Sequence, residues 1–157
     1  MTLVELFPPS AWIMNLKARD KKAAIREMIQ HLVQGGQLKG EAARKAEKAV
    51  QKRESEGSTA IGKGLAIPHA KGCAFLKEVH GVFARSREGL PFDAVDGANV
   101  HVLFLVVSPE EQMSEHVNIM RRIAKMHTDE KTLKFLASNT ILESLEEILK
   151  EVDDSFS

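Results

Sequence analysis

Val100-His101-Val102-Leu103-Phe104-Leu105-Val106-Val107 is apolar at every position except His101. A strand with one wet face alternates apolar and polar residues, whereas this run predicts a central strand covered on both faces. Working upstream, Asp96-Gly97 reads as a turn and Leu90 to Phe92 as a short edge strand, because Pro91 cannot donate a ladder hydrogen bond. Val79 to Ser86 is a further strand. Thr59 to Ile61 and Leu65 to Ile67 are two short strands around a Gly62-Lys63-Gly64 turn. Helical spacing flanks this block on both sides. Asp20 is placed to cap a helix carrying Ala24, Ile25, Met28, Ile29, Leu32 and Val33 and ending at Gly35-Gly36. A second helix, Glu41 to Glu56, has a thin alanine-rich stripe and stops at Gly57. Three more follow the central strand, at Ser114 to His127, Glu130 to Ala137 and Thr140 to Val152, the last with a capping box at Thr140/Glu143 or Ser144/Glu147. Helices, then strands, then helices predict a three-layer α/β/α sandwich, a mixed sheet flanked by helices on both faces. No repeat or linker divides the chain, so a single domain over 1–157 is expected, with its core at roughly 20–152 and loosely held ends.

Composition narrows the function. The 22 basic and 22 acidic residues cancel, which argues against a general nucleic-acid binder. One cysteine, Cys73, cannot form an intramolecular disulfide, which fits a reducing, cytoplasmic setting. Met1 to Pro9 shows no signal-peptide pattern, and the longest apolar run is far too short to enter a bilayer, so no direct membrane insertion is expected. The histidines and Cys73 show no metal-ligand spacing, and no G-x-S-x-G elbow occurs, so neither a metal, a cofactor nor a serine hydrolase is expected.

Gly57 to Gly64 nearly matches the nucleotide-binding pattern G-x-x-x-x-G-K-[ST]. Gly64 stands where a hydroxyl is needed, the preceding segment has a helical pattern, and Pro68 follows where a helix should begin. His69 is the better lead. It follows Pro68 at the end of an apolar strand, and a neutral imidazole is a nucleophile that accepts phosphoryl groups. By itself a histidine ending a strand is weak evidence. Arg53 continues the inward face of its helix from Val50 and Ala49. It serves either to cap the last carbonyls or to grip phosphate oxygens. His116, in the first turn of a helix capped by Ser114, would sit where backbone N–H groups favour an anion.

The stretch Arg53-Glu54-Ser55-Glu56-Gly57-Ser58-Thr59-Ala60-Ile61-Gly62-Lys63-Gly64-Leu65-Ala66-Ile67-Pro68-His69-Ala70 resembles the signature of IIA proteins of the fructose/mannitol class, EIIA type 2, of the bacterial phosphoenolpyruvate-dependent sugar phosphotransferase system. Nitrogen-type regulatory IIA proteins belong to this class. Weaker similarity runs from about Asp20 to Val152. The resemblance implies a phosphotransferase with a phosphohistidine intermediate. It implies that His69 carries the phosphoryl group on Nε2, that Arg53 lies beside it, and that His116 is the second active-site histidine. Ser58 and Thr59, in the Gly-Ser-Thr of the signature, are expected to support the phosphoryl group. The implied donor is an HPr-like phosphocarrier. The acceptor is a IIB cysteine in sugar uptake or, alternatively, phosphorylation of His69 controls binding to a regulated protein. Valine at 117 stands where leucine is common in the family. Because HPr-like donors commonly present a partly basic face, Glu54, Glu56 and Glu115 are the expected steering charges, with Lys63 and Lys71 flanking the His69 strand.

Overall fold

The computed structural model describes residues 1–138 and 142–157. The run that opened the sequence reading forms β6, Val100–Val107. Its side chains alternate between two separate cores. Leu103, Leu105 and Val107 enter one, lined by Ile25, Met28, Ile29, Ala46 and Val50. Val102, Phe104 and Val106 enter the other, lined by Leu3, Phe7, Ile119, Ile123, Leu133 and Leu149. The two-residue period of a strand therefore explains why the run is apolar throughout: each face has its own helical layer.

The first layer is α2 (Lys21–Gln34) and α3 (Gly40–Ser55). Asp20 caps α2 as expected, its Oδ1 accepting from the Ala23 N–H at 2.8 Å. The second layer is α1 (Leu3–Leu6), α4 (Met113–Lys125), α5 (Glu130–Ser138) and α6 (Leu142–Asp154). Between them lie β1 (Trp12–Ile13), β2 (Ala60–Gly62), β3 (Leu65–Ala66), β4 (His69–Ala70), β5 (His80–Leu90) and β6. The sheet order is β1-β5-β6-β3-β2, with β4 also paired to β6. Pairing is mixed: β5 is antiparallel to β6, while β1 on β5 and both β3 and β4 on β6 are parallel. No helix among the described residues is long and apolar enough to cross a membrane.

Several expectations are corrected. The first ten residues are not loose. Leu3 and Phe7 are fully buried, the Asp153 carboxylate accepts from the Leu3 and Val4 N–H groups at 2.8 and 3.1 Å, and Trp12 Nε1 donates to the Phe7 carbonyl at 2.9 Å. Leu90 to Phe92 is not a separate edge strand: Leu90 ends β5, which is an internal strand, and Gly89 with φ +77° accompanies a register shift between Arg85 and Leu90. Ser114 does not cap α4, because a 3-10 turn at Glu110–Gln112 leads into a helix that starts at Met113. Ser144 lies inside α6, and Thr140 lies outside the described residues. The hairpin turn between β2 and β3 is as read. Lys63 (φ 57°) and Gly64 (φ 80°) both take the left-handed conformation that a tight hairpin turn requires.

Gly81 on β5 faces the N-terminal segment. A Cβ there would lie 2.7 Å from Phe7 Cε1 and 2.8 Å from Leu6 Cγ. Both residues are buried and cannot swing aside. Gly81→Val should therefore lower stability in urea by roughly 1–3 kcal/mol, the range for overpacking. An unchanged urea midpoint would show that α1 is not seated on the sheet.

Candidate active site

β3 and β4 run one after the other along the same edge of β6, with Leu65 opposite Val102 and His69 opposite Val106. Pro68 lies in the break between them, where the ring is harmless because it needs no N–H; its carbonyl accepts from Val106 N–H at 3.1 Å. Ala70 is held likewise, its carbonyl accepting from Ser108 N–H at 3.0 Å. His69 is half-buried at the end of this track. Its Nδ1 lies 2.7 Å from the Ile67 carbonyl. A carbonyl only accepts, so Nδ1 carries the proton and Nε2 carries the lone pair. Burial holds the His69 pKa below its ordinary value. The Ile67 bond opposes this, Arg53 and Lys71 push it down further, and Glu54 pulls it up. Around neutral pH the ring is an uncharged nucleophile.

The C-terminal end of α3 supplies Arg53. Its Nη1 donates to the Gly57 carbonyl at 2.8 Å, and its side chain lines a cleft of about 500 Å³ with Lys52, Glu56, His69 and Lys71. Arg53 thus ties the chain just past the helix and flanks His69. The first turn of α4 supplies His116, whose ring centroid lies 5.6 Å from that of His69 at an interplanar angle of 48°. His116 is only 3% exposed, and its Nδ1 is 2.7 Å from the hydroxyl of Ser108. Burial, then the His69 ring and Lys71, lower its pKa to about 4. A second cleft of about 420 Å³ opens between the two histidines, with Ile61, Val117 and Met120 as apolar walls and Arg121 at its side.

The structure thus brings Arg53, His69 and His116 together, but not Ser58 and Thr59. Neither lines either cleft. Ser58 Oγ donates to the Phe92 carbonyl and accepts from Ala60 N–H at 3.1 Å. Thr59 is buried and gives both its N–H and its hydroxyl to the Glu54 carboxylate, at 3.0 and 2.5 Å. Both side chains hold the segment before β2. Glu54 is also corrected: it is 4% exposed and faces the protein, so it offers no steering charge to a partner. Glu115 is paired with the Met1 amino group at 3.0 Å. The cleft walls carry Lys52, Arg53, Lys71 and Arg121 against Glu56, so the surface around His69 is basic, not acidic. Lys63 is turned away, its Nζ donating to the His127 carbonyl at 3.1 Å. Ser108 was missed, and Glu54 was named for a surface role that its burial excludes. Helical spacing alone reaches Glu54, four residues after Val50.

A mixed sheet between two helical layers thus presents a half-buried histidine beside a second histidine and an arginine, in a basic setting suited to a small anion. Residues 5–152 match the family described as "Phosphoenolpyruvate-dependent sugar phosphotransferase system, EIIA 2", and the chain belongs to that family. It is 31% identical over 149 residues to a nitrogen regulatory protein of Bradyrhizobium diazoefficiens, covering 95% of each chain. It is 29% identical over 153 residues to the fructose-specific EIIABC component of Bacillus subtilis, covering 98% of this chain and 24% of that protein. The nitrogen regulatory protein IIA-Ntr from Neisseria meningitidis has the same fold, with a TM-score of 0.82 and 29% identity over 92% of this chain and 97% of that one. The family thus spans sugar phosphotransfer and nitrogen regulation.

His116 makes stability depend on pH. Unfolded, it takes its proton near pH 6.5; folded, only near pH 4. The unfolded chain binds more protons between these values, so the contribution of His116 is intact above 6.5 and is lost as pH falls towards 4. Urea midpoints at about pH 7 and about pH 4.5 should lie closer together in His116→Gln than in the wild type. Equal drops would mean that His116 titrates normally.

Proposed function

We propose that this protein is a cytoplasmic phosphotransferase that carries a phosphoryl group on Nε2 of His69. The observation that carries the reading is the bond from Nδ1 to the Ile67 carbonyl, which leaves only Nε2 free to react. The Nε2 lone pair attacks phosphorus on the phosphohistidine of an HPr-like donor, the donor's nitrogen–phosphorus bond breaks, and that nitrogen recovers its electron pair. The PO3 unit moves with no proton transfer, because the Nδ1 proton stays on His69 throughout. The ring becomes more positive as the new bond forms, and the Ile67 carbonyl steadies it. Arg53 meets the equatorial oxygens of the transferring group, and His116 contacts them from the α4 side. A IIB cysteine then takes the phosphoryl group for sugar uptake.

A second reading is regulatory. The phosphoryl group adds nearly two negative charges beside His69, where the two adjoining clefts carry Lys52, Lys71 and Arg121, and so changes which surface a partner meets. It is favoured by the similarity over 95% of both chains to a protein named as a nitrogen regulator.

With phosphoenolpyruvate, enzyme I and HPr, the protein should acquire an acid-labile, base-stable label, and His69→Ala should abolish it. Label persisting at the wild-type rate in His69→Ala would overturn the assignment. Arg53→Lys keeps the charge but loses the planar fork, and should slow transfer by about 10²–10³. Unchanged kinetics in that variant would reduce Arg53 to a tie on Gly57.

A further inference from the structure

We infer that Ser108 fixes the tautomer of His116, donating its hydroxyl hydrogen to Nδ1 so that the ring presents an Nε2–H to a phosphoryl group on His69. The role of that donor rests on the phosphocarrier reading; the tautomer itself does not.

Ser108 is wholly buried just beyond the end of β6. Its backbone is held on both sides. The N–H donates to the Ala70 carbonyl, one residue past His69, and the carbonyl accepts from Cys73 N–H, both at 3.0 Å. With the main chain pinned, the side chain has a defined direction, and its only hydrogen-bond partner among the described residues is His116 Nδ1 at 2.7 Å. The same residue therefore ties the His69 strand to the His116 helix.

A neutral imidazole has one nitrogen that donates and one that accepts. Burial and the nearby His69 and Lys71 keep His116 neutral around pH 7. Two arrangements of the Ser108–His116 bond are then possible. If Nδ1–H donates to Oγ, the serine hydrogen has no acceptor among the described residues, in a place water does not reach. If the hydroxyl donates to Nδ1, both groups are satisfied with the same geometry. The second arrangement leaves the ring proton on Nε2.

The outcome matters because His116 lines the cleft it shares with His69. With Nε2–H, the ring donates to a phosphoryl oxygen held between the histidines. With the opposite tautomer, a lone pair would face those oxygens and repel them. His69 and His116 are thus set in opposite senses by their neighbours. The Ile67 carbonyl accepts from Nδ1 and frees a lone pair on Nε2 of His69, whereas the Ser108 hydroxyl donates to Nδ1 and places a proton on Nε2 of His116. Ser108 is a positioning residue and does not itself touch the phosphoryl group.

The test is the 15N NMR spectrum of the histidine rings at neutral pH, in which protonated and unprotonated ring nitrogens are well separated. Wild-type His116 should show an unprotonated Nδ1 and a protonated Nε2. A protonated Nδ1 in the wild type overturns the inference, whatever any variant does. In Ser108→Ala the two tautomers should become mixed, and phosphoryl transfer through His69 should slow roughly tenfold, at the lower end of what loss of a histidine's orienting partner costs. Ser108→Thr, which restores a hydroxyl, should recover both the single tautomer and the rate. If Ser108→Ala keeps a pure Nε2–H signal and the wild-type rate, Ser108 is packing only and the inference fails. If instead the wild-type tautomer is as expected but His69 never takes label, the phosphocarrier reading fails while the tautomer assignment stands.

Discussion

Backbone hydrogen bonds along one edge of β6 hold residues 65–70, and the geometry of the site follows from them. Val106 donates to Pro68 and Ser108 donates to Ala70, so His69 is gripped from both sides in sequence. Because β4 is parallel to β6, both strands end at the same end of the sheet. The chain leaving β6 has only a short 3-10 turn before α4 begins, which brings the first turn of that helix back over His69. Open α/β sheets place ligands beyond the carboxyl ends of their strands for this reason. A histidine on an unpaired loop would have to be ordered before it could react; here that entropy is lost on folding.

The charges around the two rings form one arrangement. Both imidazoles are partly or wholly buried, and the cations Arg53 and Lys71 lower the His69 pKa further. This keeps the ring's lone pair available. An anion placed beside His69 would face the same cations, which would stabilise it without reorganising. A cleft that disfavours a proton on its histidines is thereby suited to a dianion. An acidic rim would have done the reverse, raising both pKa values and repelling the transferred group. The basic lining suits an anion beside His69.

How far the sequence could be read depended on whether a residue's role was local. β6, the hairpin at Lys63-Gly64 and the helix after Asp20 were legible because period, turn chemistry and capping are short-range signals. The neighbourhood of Arg53, His69 and His116 was legible from the signature and from the order of elements, although the cap assigned to Ser114 was wrong: the 3-10 turn before α4 leaves no pattern at that resolution. The N-terminal segment was misread because its anchor is Asp153, at the far end of the chain. No window of sequence joins those residues. Leu90 was misread because Pro91 looked like part of the strand, while Gly89 and a register shift let β5 run straight to Leu90. Ser108 was invisible for a similar reason, since nothing in Val107-Ser108-Pro109 tells a buried hydroxyl from a loop serine.

Glu54 shows most clearly how a charge can mislead. It follows Arg53 in the chain, yet the two point in different directions, as consecutive helical residues do. Arg53 lines the cleft, whereas Glu54 is buried against Thr59, with Lys21 at 3.6 Å and Lys21 in turn at 2.9 Å from Asp93. A buried carboxylate is tolerated only when its oxygens are satisfied, and here an N–H, a hydroxyl and an ammonium share them. The result is a bolt between the end of α3 and the start of β2, reinforced by Ser58 on the Phe92 carbonyl. Arg53 itself donates to Gly57, inside the segment so bolted. The guanidinium is therefore referenced to a short stretch of chain that is tied to α3 at one end and to the loop before β6 at the other. On this geometry the Gly57-Ser58-Thr59 of the signature sets where Arg53 stands beside His69.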